Sequence, residues 1–456
     1  MNTSYLKKYN KPGPRYTSYP PATFFHTRIN NYHYRSMLKT SNSKQPENIS
    51  IYIHVPFCKQ LCHFCGCNTS CFPDIRVIER YFKALIEEIR SVSSRLNTQR
   101  PLTQIHWGGG TPNSVELEYI ERIMNELLSI YTPAPKAEIA MECNPAYLEP
   151  EHIDRLAAMG FNRLSLGIQD FNEDVLRQVN RKPSLHPVEK LIGRMKANNM
   201  DGVNMDLIYG LPGQTPDSFR QTIEKAISLA PDRLVTFSYA HVPWVKPAQS
   251  VLEELGLPEP EEKLAMFETA YNLLTQHGYV AIGMDHFARP GDELAVALKN
   301  KKLHRNFQGY CTRETTGQVY GFGATSISQL QGGYYQNVKD TEDYIQAITQ
   351  NGFATEKGYE LTREDSIRRA VINEIMCNGY LDFDELSREY EIPVNDLKAT
   401  TGFNAKKLQP FIDDDLLELK DNKIQLRENG FLVVRNIAME FDPLLQSGQG
   451  KYSKTV

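Results

Sequence analysis

The sequence predicts an α/β fold built on parallel strands, and three observations carry that prediction. Six short β-rich runs recur between about residues 51 and 239, and helical stretches lie between them. A series of βα units implies parallel strands joined by right-handed crossovers. The composition, 41% hydrophobic and 23% charged over 456 residues, supplies an ordinary globular core and excludes an intrinsically disordered chain. A partial barrel, a full barrel and a doubly wound sheet all satisfy this pattern.

In chain order, residues 1–48 form an N-terminal arm. It carries charges at Lys7 and Lys8 but no apolar stretch after them, so no secretory signal is expected. No run approaches 18 apolar residues, so no transmembrane helix and no membrane partner are expected, and the default address is the cytoplasm. The β-rich runs fall at residues 51–55, 104–107, 138–141, 163–168, 203–208 and 234–237. Ile78, Phe82, Leu85 and Ile89 recur at helical spacing, as do Ile120, Ile123 and Leu127, while Glu149-Pro150 opens a helix that Gly160 ends. A helix over about 259–277 then leads into a loop-rich region reaching about residue 337. The barrel-like catalytic region with its extension is assigned to residues 49–357, and a mostly helical C-terminal domain to 358–456. Within the latter, a helix around Ile367–Ile375, a second over 381–390 and a hairpin with Asp421-Asn422 at its turn resemble a winged-helix module. Its presumed wing is acidic (Asp413, Asp414, Asp415, Glu418) and the whole chain is net −4, which favours a lid or scaffold over a nucleic-acid binder.

Five of the eight cysteines lie between Cys58 and Cys71. In a reducing compartment these are ligands or catalytic groups rather than a disulfide framework. Cys58, Cys62 and Cys65 follow the first β-run at Cys-x3-Cys-x2-Cys spacing, so three thiolates converge on the first strand-to-helix loop. Structural zinc generally wants two separated ligand pairs. One compact run of three instead suits three irons of a cubane, with the fourth iron open for chemistry. Zinc is the weaker alternative, and closure of a four-thiolate site by Cys67 or Cys71 is weaker again, because Cys67 would have to reach across the cube from a taut loop.

Gly108-Gly109-Gly110-Thr111-Pro112 follows the second β-run, where missing side chains let a ligand lie against the backbone. Glu142, Gln169 and Asp206 end the third, fourth and fifth runs, at the C-terminal rim where sites form in barrels and open sheets alike. Three polar groups on consecutive strand ends can hydrogen-bond an amine and ribose hydroxyls, and the Arg181 fork suits a carboxylate.

The Cys58–Cys65 loop, with Phe64 before its last cysteine, resembles the radical S-adenosylmethionine (SAM) superfamily. The likeness narrows with Pro14-Arg15-Tyr16-Thr17-Ser18-Tyr19-Pro20, the extra Cys67, Trp107 to Pro112, Gly167 to Phe171, Val179-Asn180-Arg181, Asp206 to Pro212 and the segments around His286 and His304. Together these resemble the oxygen-independent coproporphyrinogen III oxidases from about residue 12 to beyond Phe441. The resemblance implies a partial (β/α)6 barrel, a [4Fe-4S] cluster on Cys58, Cys62 and Cys65, and two SAM molecules. It assigns Tyr52, Gly109, Glu142 and Ile327 to the cluster-bound molecule, and Phe64, Gly110, Thr111, Gln169, Arg181, Asp206 and Ala240 to the second. Cys67 matches a site cysteine that is not a cluster ligand. Pro21 and Cys143-Asn144 depart from the usual pattern without touching a ligand position.

The implied reaction is the anaerobic oxidative decarboxylation of the ring A and B propionates of coproporphyrinogen III to the vinyls of protoporphyrinogen IX. It implies an external low-potential electron donor such as a flavodoxin or ferredoxin system, no nucleic acid, and a monomer. A substrate with four carboxylates meeting a net-negative chain calls for a local cationic lining, expected from Arg15, Arg289, His304 and Arg305, with Tyr16 and Tyr19 covering the pocket. The rivals are a haem-degrading relative, a haem chaperone, a non-catalytic iron–sulfur electron carrier and, more remotely, a zinc-binding winged-helix regulator.

Overall fold

The computed structural model describes residues 4–200, 202–313, 316–447 and 452. The chain divides into two compact units, one of residues 26–278 and 314–358, the other of residues 1–25, 279–313 and 359–456. This differs from the linear division expected from sequence. The arm is shared between the units, and residues 279–313, expected as the catalytic region's extension, group with the C-terminal part.

The larger unit holds the six βα repeats. Its strands β1 (Ile49–Val55), β2 (Leu102–Gly109), β3 (Pro133–Cys143), β4 (Arg163–Gln169), β5 (Gly202–Tyr209) and β6 (Arg233–Ser238) pair parallel and in sequence order. Sequential parallel order is that of a (β/α)6 partial barrel, and it excludes the strand reversal of a doubly wound sheet. Every predicted β-run falls on one of these strands. The helices α1 (Ile75–Ser93), α2 (Leu117–Ile130), α3 (Pro150–Ala158), α4 (Val188–Ala197), α5 (Pro216–Leu229) and α6 (Pro260–Gln276) form where the sequence supplies both an apolar stripe and end signals. In α1 the Asp74 carboxylate accepts the Arg76 N–H, and Ile78, Phe82, Leu85, Ile89 and Val92 are buried. In α5 Thr215 and Ser218 cap each other reciprocally, with Pro216 in the first turn.

The region expected to be loop-rich contains strands. Gln318–Phe322 pairs parallel with the free edge of β1, and Ile327–Leu330 and Gly333–Asn337 continue antiparallel. Glycines at 317, 321, 323, 332 and 333 mask their periodicity; at Gly317 and Gly321 a Cβ would strike neighbouring backbone at 2.1 and 2.8 Å. A helix, Asn31–Ser41, capped by Asn30, also stands in the arm, where the sequence reading placed no element.

In the second unit, Val280–Gly283 and His286–Ala288 pair antiparallel, as do Leu303–Asn306 and Gly309–Thr312. The C-terminal part is winged-helix-like. The helix Arg363–Asn378 ends at Gly379 (φ 56°), the helix Phe383–Tyr390 follows, and the hairpin Leu417–Lys420 with Lys423–Leu426 turns at Asp421-Asn422 as expected. A third strand, Tyr380–Asp382, completes its sheet at the start of the expected second helix. Among the described residues no helix is long and apolar enough to cross a membrane.

Candidate active site

Strand alternation places two kinds of side chain on opposite faces of the parallel sheet. Ile51, Ile53, Ile105, Trp107, Ile139, Met141, Leu164, Leu166, Val203, Met205 and Leu207 are buried on the face that packs on the helices. The other face is polar and layered. Its lower layer contains Glu138, whose carboxylate takes Arg163 Nε at 2.8 Å and Gln104 Nε2 at 2.9 Å, with Arg233 Nη1 at 3.8 Å, while Arg163 Nη1 donates to Asn204 Oδ1 at 2.9 Å. Burial would raise the Glu138 pKa, but Arg163 and Arg233 more than reverse this and hold it well below the carboxylate range.

Above this layer stand Tyr52, His106, Ser165 and Asp206. Tyr52 and His106 are register partners whose rings stack with centroids 6.0 Å apart. Ser165 Oγ donates to Asp206 Oδ2 at 2.9 Å. Burial pushes the Asp206 carboxyl up to about 7 despite that bond, so the group is poised between its acid and carboxylate forms at neutral pH. Nearer the rim, His106 Nε2 lies 3.2 Å from Glu142 Oε1, and the Gly109 N–H donates to Glu142 Oε2 at 3.3 Å. His54 is held neutral, its pKa lowered by burial to about 4. Its Nε2 lies 3.1 Å from the Asn68 carbonyl, an acceptor, so Nε2 carries the proton and Nδ1 accepts the Tyr52 hydroxyl at 3.1 Å.

The glycine run has no room for side chains. A Cβ on Gly108 would come within 2.9 Å of the Glu142 carboxyl, and one on Gly110 within 2.9 Å of the Pro56 and Phe57 carbonyls. Gly109 has φ +112°, and a Cβ there would sit 2.5 Å from the His54 ring.

The cysteine loop leaves β1 and is closed at its base by Ser70 N–H to Pro56 O at 2.8 Å and Phe72 N–H to Cys58 O at 2.9 Å. The segment Val179-Asn180-Arg181 latches it. His63 N–H donates to Val179 O at 3.0 Å, Gln60 Nε2 to Asn180 Oδ1 at 2.7 Å, and Asn180 Nδ2 to Leu61 O at 2.8 Å, with Asn180 itself left-handed at φ 54°. Arg181 reaches Cys62 Sγ at 3.5 Å and the Gly167 carbonyl. Cys58 Sγ lies 3.2 Å from Thr111 Oγ1. Phe64 packs against Val175, Val179, Ile208, Leu211, Tyr239 and Leu252, and Gln249 Nε2 holds its carbonyl at 3.0 Å. The neighbouring Cys67 lowers the pKa of the Cys65 thiol, and Lys246 Nζ holds the Cys67 carbonyl at 2.5 Å.

The radical SAM superfamily pattern matches residues 52–226, and that of the HemN C-terminal domain matches residues 361–433. The oxygen-independent coproporphyrinogen III oxidase of Synechocystis is 41% identical over 454 residues, 99% of this chain and 97% of the relative. The Escherichia coli oxidase of the same name is 40% identical over 442 residues, 97% and 95% of the two chains. The solved structure of coproporphyrinogen III oxidase (HemN) from Escherichia coli, described as a radical SAM enzyme, matches with a TM-score of 0.89 at 38% identity, covering 97% of this chain and 99% of the other.

The chain belongs to the oxygen-independent coproporphyrinogen III oxidase family. The family lies within the radical SAM superfamily, whose members are built around a [4Fe-4S] cluster and SAM. The residues present fit those groups. A cubane binds each thiolate to its own iron; the thiols of Cys58, Cys62 and Cys65 act electrostatically on one another across one loop. Gln169, held at φ 70°, has a buried Oε1 with no hydrogen-bond partner, which leaves an acceptor open to a donor.

The sequence-predicted cofactor residues fall on the strands of this unit and the loops around them, with Tyr52 and Asp206 inside β1 and β5 rather than at their ends. Ile327 lies against Gly321, the register partner of Tyr52, and Ala240 follows Tyr239 at the end of β6. The sequence reading missed His54 and His106, the groups that set Tyr52 and Glu142, and the Lys246 and Gln249 supports of the cysteine loop. Strand parity was the available signal, since His54 and His106 stand two residues from Tyr52 and Gly108 and so share their face. The expected cationic lining lies in the second unit and needs correction. His304 is neutral, its pKa lowered by burial to about 3, with Nδ1 2.7 Å from Asn373 Nδ2, and Arg289 is exposed with its guanidinium over Tyr279.

Proposed function

We propose that this chain converts coproporphyrinogen III to protoporphyrinogen IX without oxygen, by oxidative decarboxylation of the ring A and B propionates, in porphyrin and haem biosynthesis. The observation that carries the reading is the three-thiol loop set beside an unsatisfied polar strand rim in a chain alike over almost its whole length to oxidases of this name. When bound, the cluster and SAM supply the one-electron chemistry that removes a hydrogen from the propionate β-carbon. The protein's own part is orientation and exclusion of water.

In this reading Cys58, Cys62 and Cys65 ligate the cluster. Glu142, steadied by His106 and the Gly109 N–H, accepts from the amino group of the cluster-bound SAM, with Tyr52 and Ile327 alongside. Gly110, Thr111, Gln169, Arg181, Asp206, Phe64 and Ala240 line the second molecule; Gln169 Oε1 takes a donor there, and Asp206 meets ribose hydroxyls as acid or carboxylate. Cys67 belongs to the site without ligating iron. No general acid–base triad is required. An external low-potential donor, a flavodoxin or ferredoxin system, delivers the electron; the surface beside the cysteine loop, where Arg177, Arg181 and Lys182 outnumber Glu173, suits an acidic one, and reduction that slows as salt rises would bear this out. The protein acts as a cytoplasmic monomer.

The test is anaerobic: reconstitute the cluster, add dithionite, SAM and coproporphyrinogen III, and analyse 5′-deoxyadenosine and porphyrins together. Both deoxyadenosine and protoporphyrin are expected. Deoxyadenosine without a vinyl product would move the substrate to that of a haem-degrading or chaperone relative. Neither product from a fully loaded sample would favour an electron carrier.

A further inference from the structure

In the second unit, Arg305 stands on the strand Leu303–Asn306, 5% exposed, with its guanidinium 4.7 Å from the Tyr310 ring centroid. Its Nε and Nη1 are buried without a hydrogen-bond partner, so three of the five donors of an obligate cation have given up water without gaining a hydrogen bond. Buried charges persist when they are paired, and the carboxylate near this one, Asp285, is shared with Arg15.

The surroundings deepen the imbalance. Arg15 forms an ion pair with Asp285, and His286 Nδ1 also lies 2.8 Å from Asp285. Burial alone would raise the Asp285 carboxyl, but Arg15, His286 and Arg305 hold it far below its ordinary range, so it stays ionised and already engaged. Arg435, 5% exposed, donates to the carbonyls of Gly13 and Pro14, the latter at 3.1 Å, and its field includes Arg15 and Arg305 as well as Asp285. Three guanidinium groups therefore face the carboxylate of Asp285, and burial keeps His286 from adding a fourth cation.

We propose that Arg305, backed by Arg15 and Arg435, binds a carboxylate of the tetrapyrrole, and that it holds a propionate the substrate keeps rather than one it loses. The inference rests on the substrate reading above. Its second half follows from transition-state logic. The ring A and B carboxylates leave as neutral carbon dioxide, so a guanidinium gripping either one would stabilise the charged ground state and lose its partner as the bond breaks. The two remaining propionates stay charged throughout, and gripping them orients the macrocycle without raising the barrier.

The two porphyrins distinguish these cases, because coproporphyrin III carries all four propionates and protoporphyrin IX only the two retained. Each is titrated anaerobically into reconstituted holoenzyme, unaltered and carrying R305Q, with iron content and melting temperature checked in parallel. R305Q weakens binding of both porphyrins by about 10- to 100-fold, as loss of hydrogen bonds to a charged group implies. R15Q alters a side chain that is 35% exposed and keeps the test independent of a buried substitution. It also weakens both, because Asp285 then turns to Arg305. Unchanged affinity for both porphyrins in either folded variant overturns the assignment of the site. Weakened coproporphyrin binding alone overturns the retained-propionate assignment. Failure of the unaltered enzyme to bind either porphyrin removes the substrate reading, and this inference with it.

Discussion

Replacing Asp206 by asparagine gives the sharpest test of the polar strand rim. Burial raises the Asp206 carboxyl from its ordinary 3.8 to about 7, so the folded protein retains a proton that the unfolded chain releases. Three pKa units correspond to about 4 kcal/mol, and because this carboxyl keeps a path to water the working figure is about 2–3 kcal/mol. The sign follows from the raised folded value: the stability linked to the proton is fully present below about pH 4 and is lost as pH rises through about 7. The amide side chain of the variant has no proton to lose and still accepts the Ser165 hydroxyl through its oxygen. D206N should therefore match the parent near pH 4 and exceed it by about 2–3 kcal/mol at pH 8. Urea unfolding of the cluster-free proteins under anaerobic conditions, from about pH 4 to 8, measures the difference directly. Other titrating groups are common to both proteins and cancel. A difference that does not change with pH would refute the argument that burial governs this carboxyl.

Four further outcomes are expected. G109A forces φ +112° on a residue with a Cβ and drives His54 from its bonds to Tyr52 and Asn68, so it should cost about 3 kcal/mol in thermal denaturation and lower SAM affinity at least tenfold. N180A removes the latch to Gln60 and Leu61, and iron should be lost to a chelator several times faster while the melting temperature falls only a few degrees. C67S should keep the full iron complement after reconstitution, whereas C58S, C62S and C65S should not; iron and sulfide analysis decides. E138Q breaks a buried pair with Arg163 and should destabilise by about 3–5 kcal/mol, whereas E142Q should leave stability nearly unchanged and weaken SAM binding about tenfold by calorimetry.

The barrel was legible because each of its six strands is a short local pattern with helices between, and right-handed crossovers leave few ways to assemble them. The strands Gln318–Phe322, Ile327–Leu330 and Gly333–Asn337 were not, because the first pairs with the edge of β1, about 270 residues upstream, the other two only extend it, and their glycines suit backbone contacts no local window contains. The helix Asn31–Ser41 was missed because it buries only Tyr34, Leu38 and Ser41, too thin a stripe to stand out in a polar arm. At the site, cysteine spacing and the glycine run were read directly, since covalent spacing and the absence of side chains are visible in one dimension. His54 and His106 act through neighbours on other strands, and their roles emerge only once register is known.

What separates a structural polar cluster from a functional one in this protein is completeness. On the sheet's polar face the lower layer is closed: Glu138 is matched by Arg163, Gln104 and Arg233, and Arg163 in turn by Asn204. One layer higher the pairing fails. Asp206 has Ser165 but is still forced toward its neutral form, and Gln169 Oε1 has no partner. The same chain that satisfies its charges in one layer leaves them open in the next, so the openness cannot be put down to poor packing in general. The groups left open at the rim stand beside the three-thiol loop. Arg305 meets the same criterion in the second unit, where Asp285 is matched by Arg15 and His286 while Arg305 keeps unused donors. Gln169 and Arg305 are two among several residues with an unsatisfied buried polar atom, and their surroundings set them apart, one beside the cysteine loop and suited to a donor, the other facing a carboxylate already engaged and suited to a further carboxylate. These are the chemistries that a cofactor carrying an amino acid and a nucleoside, and a substrate carrying propionates, would bring.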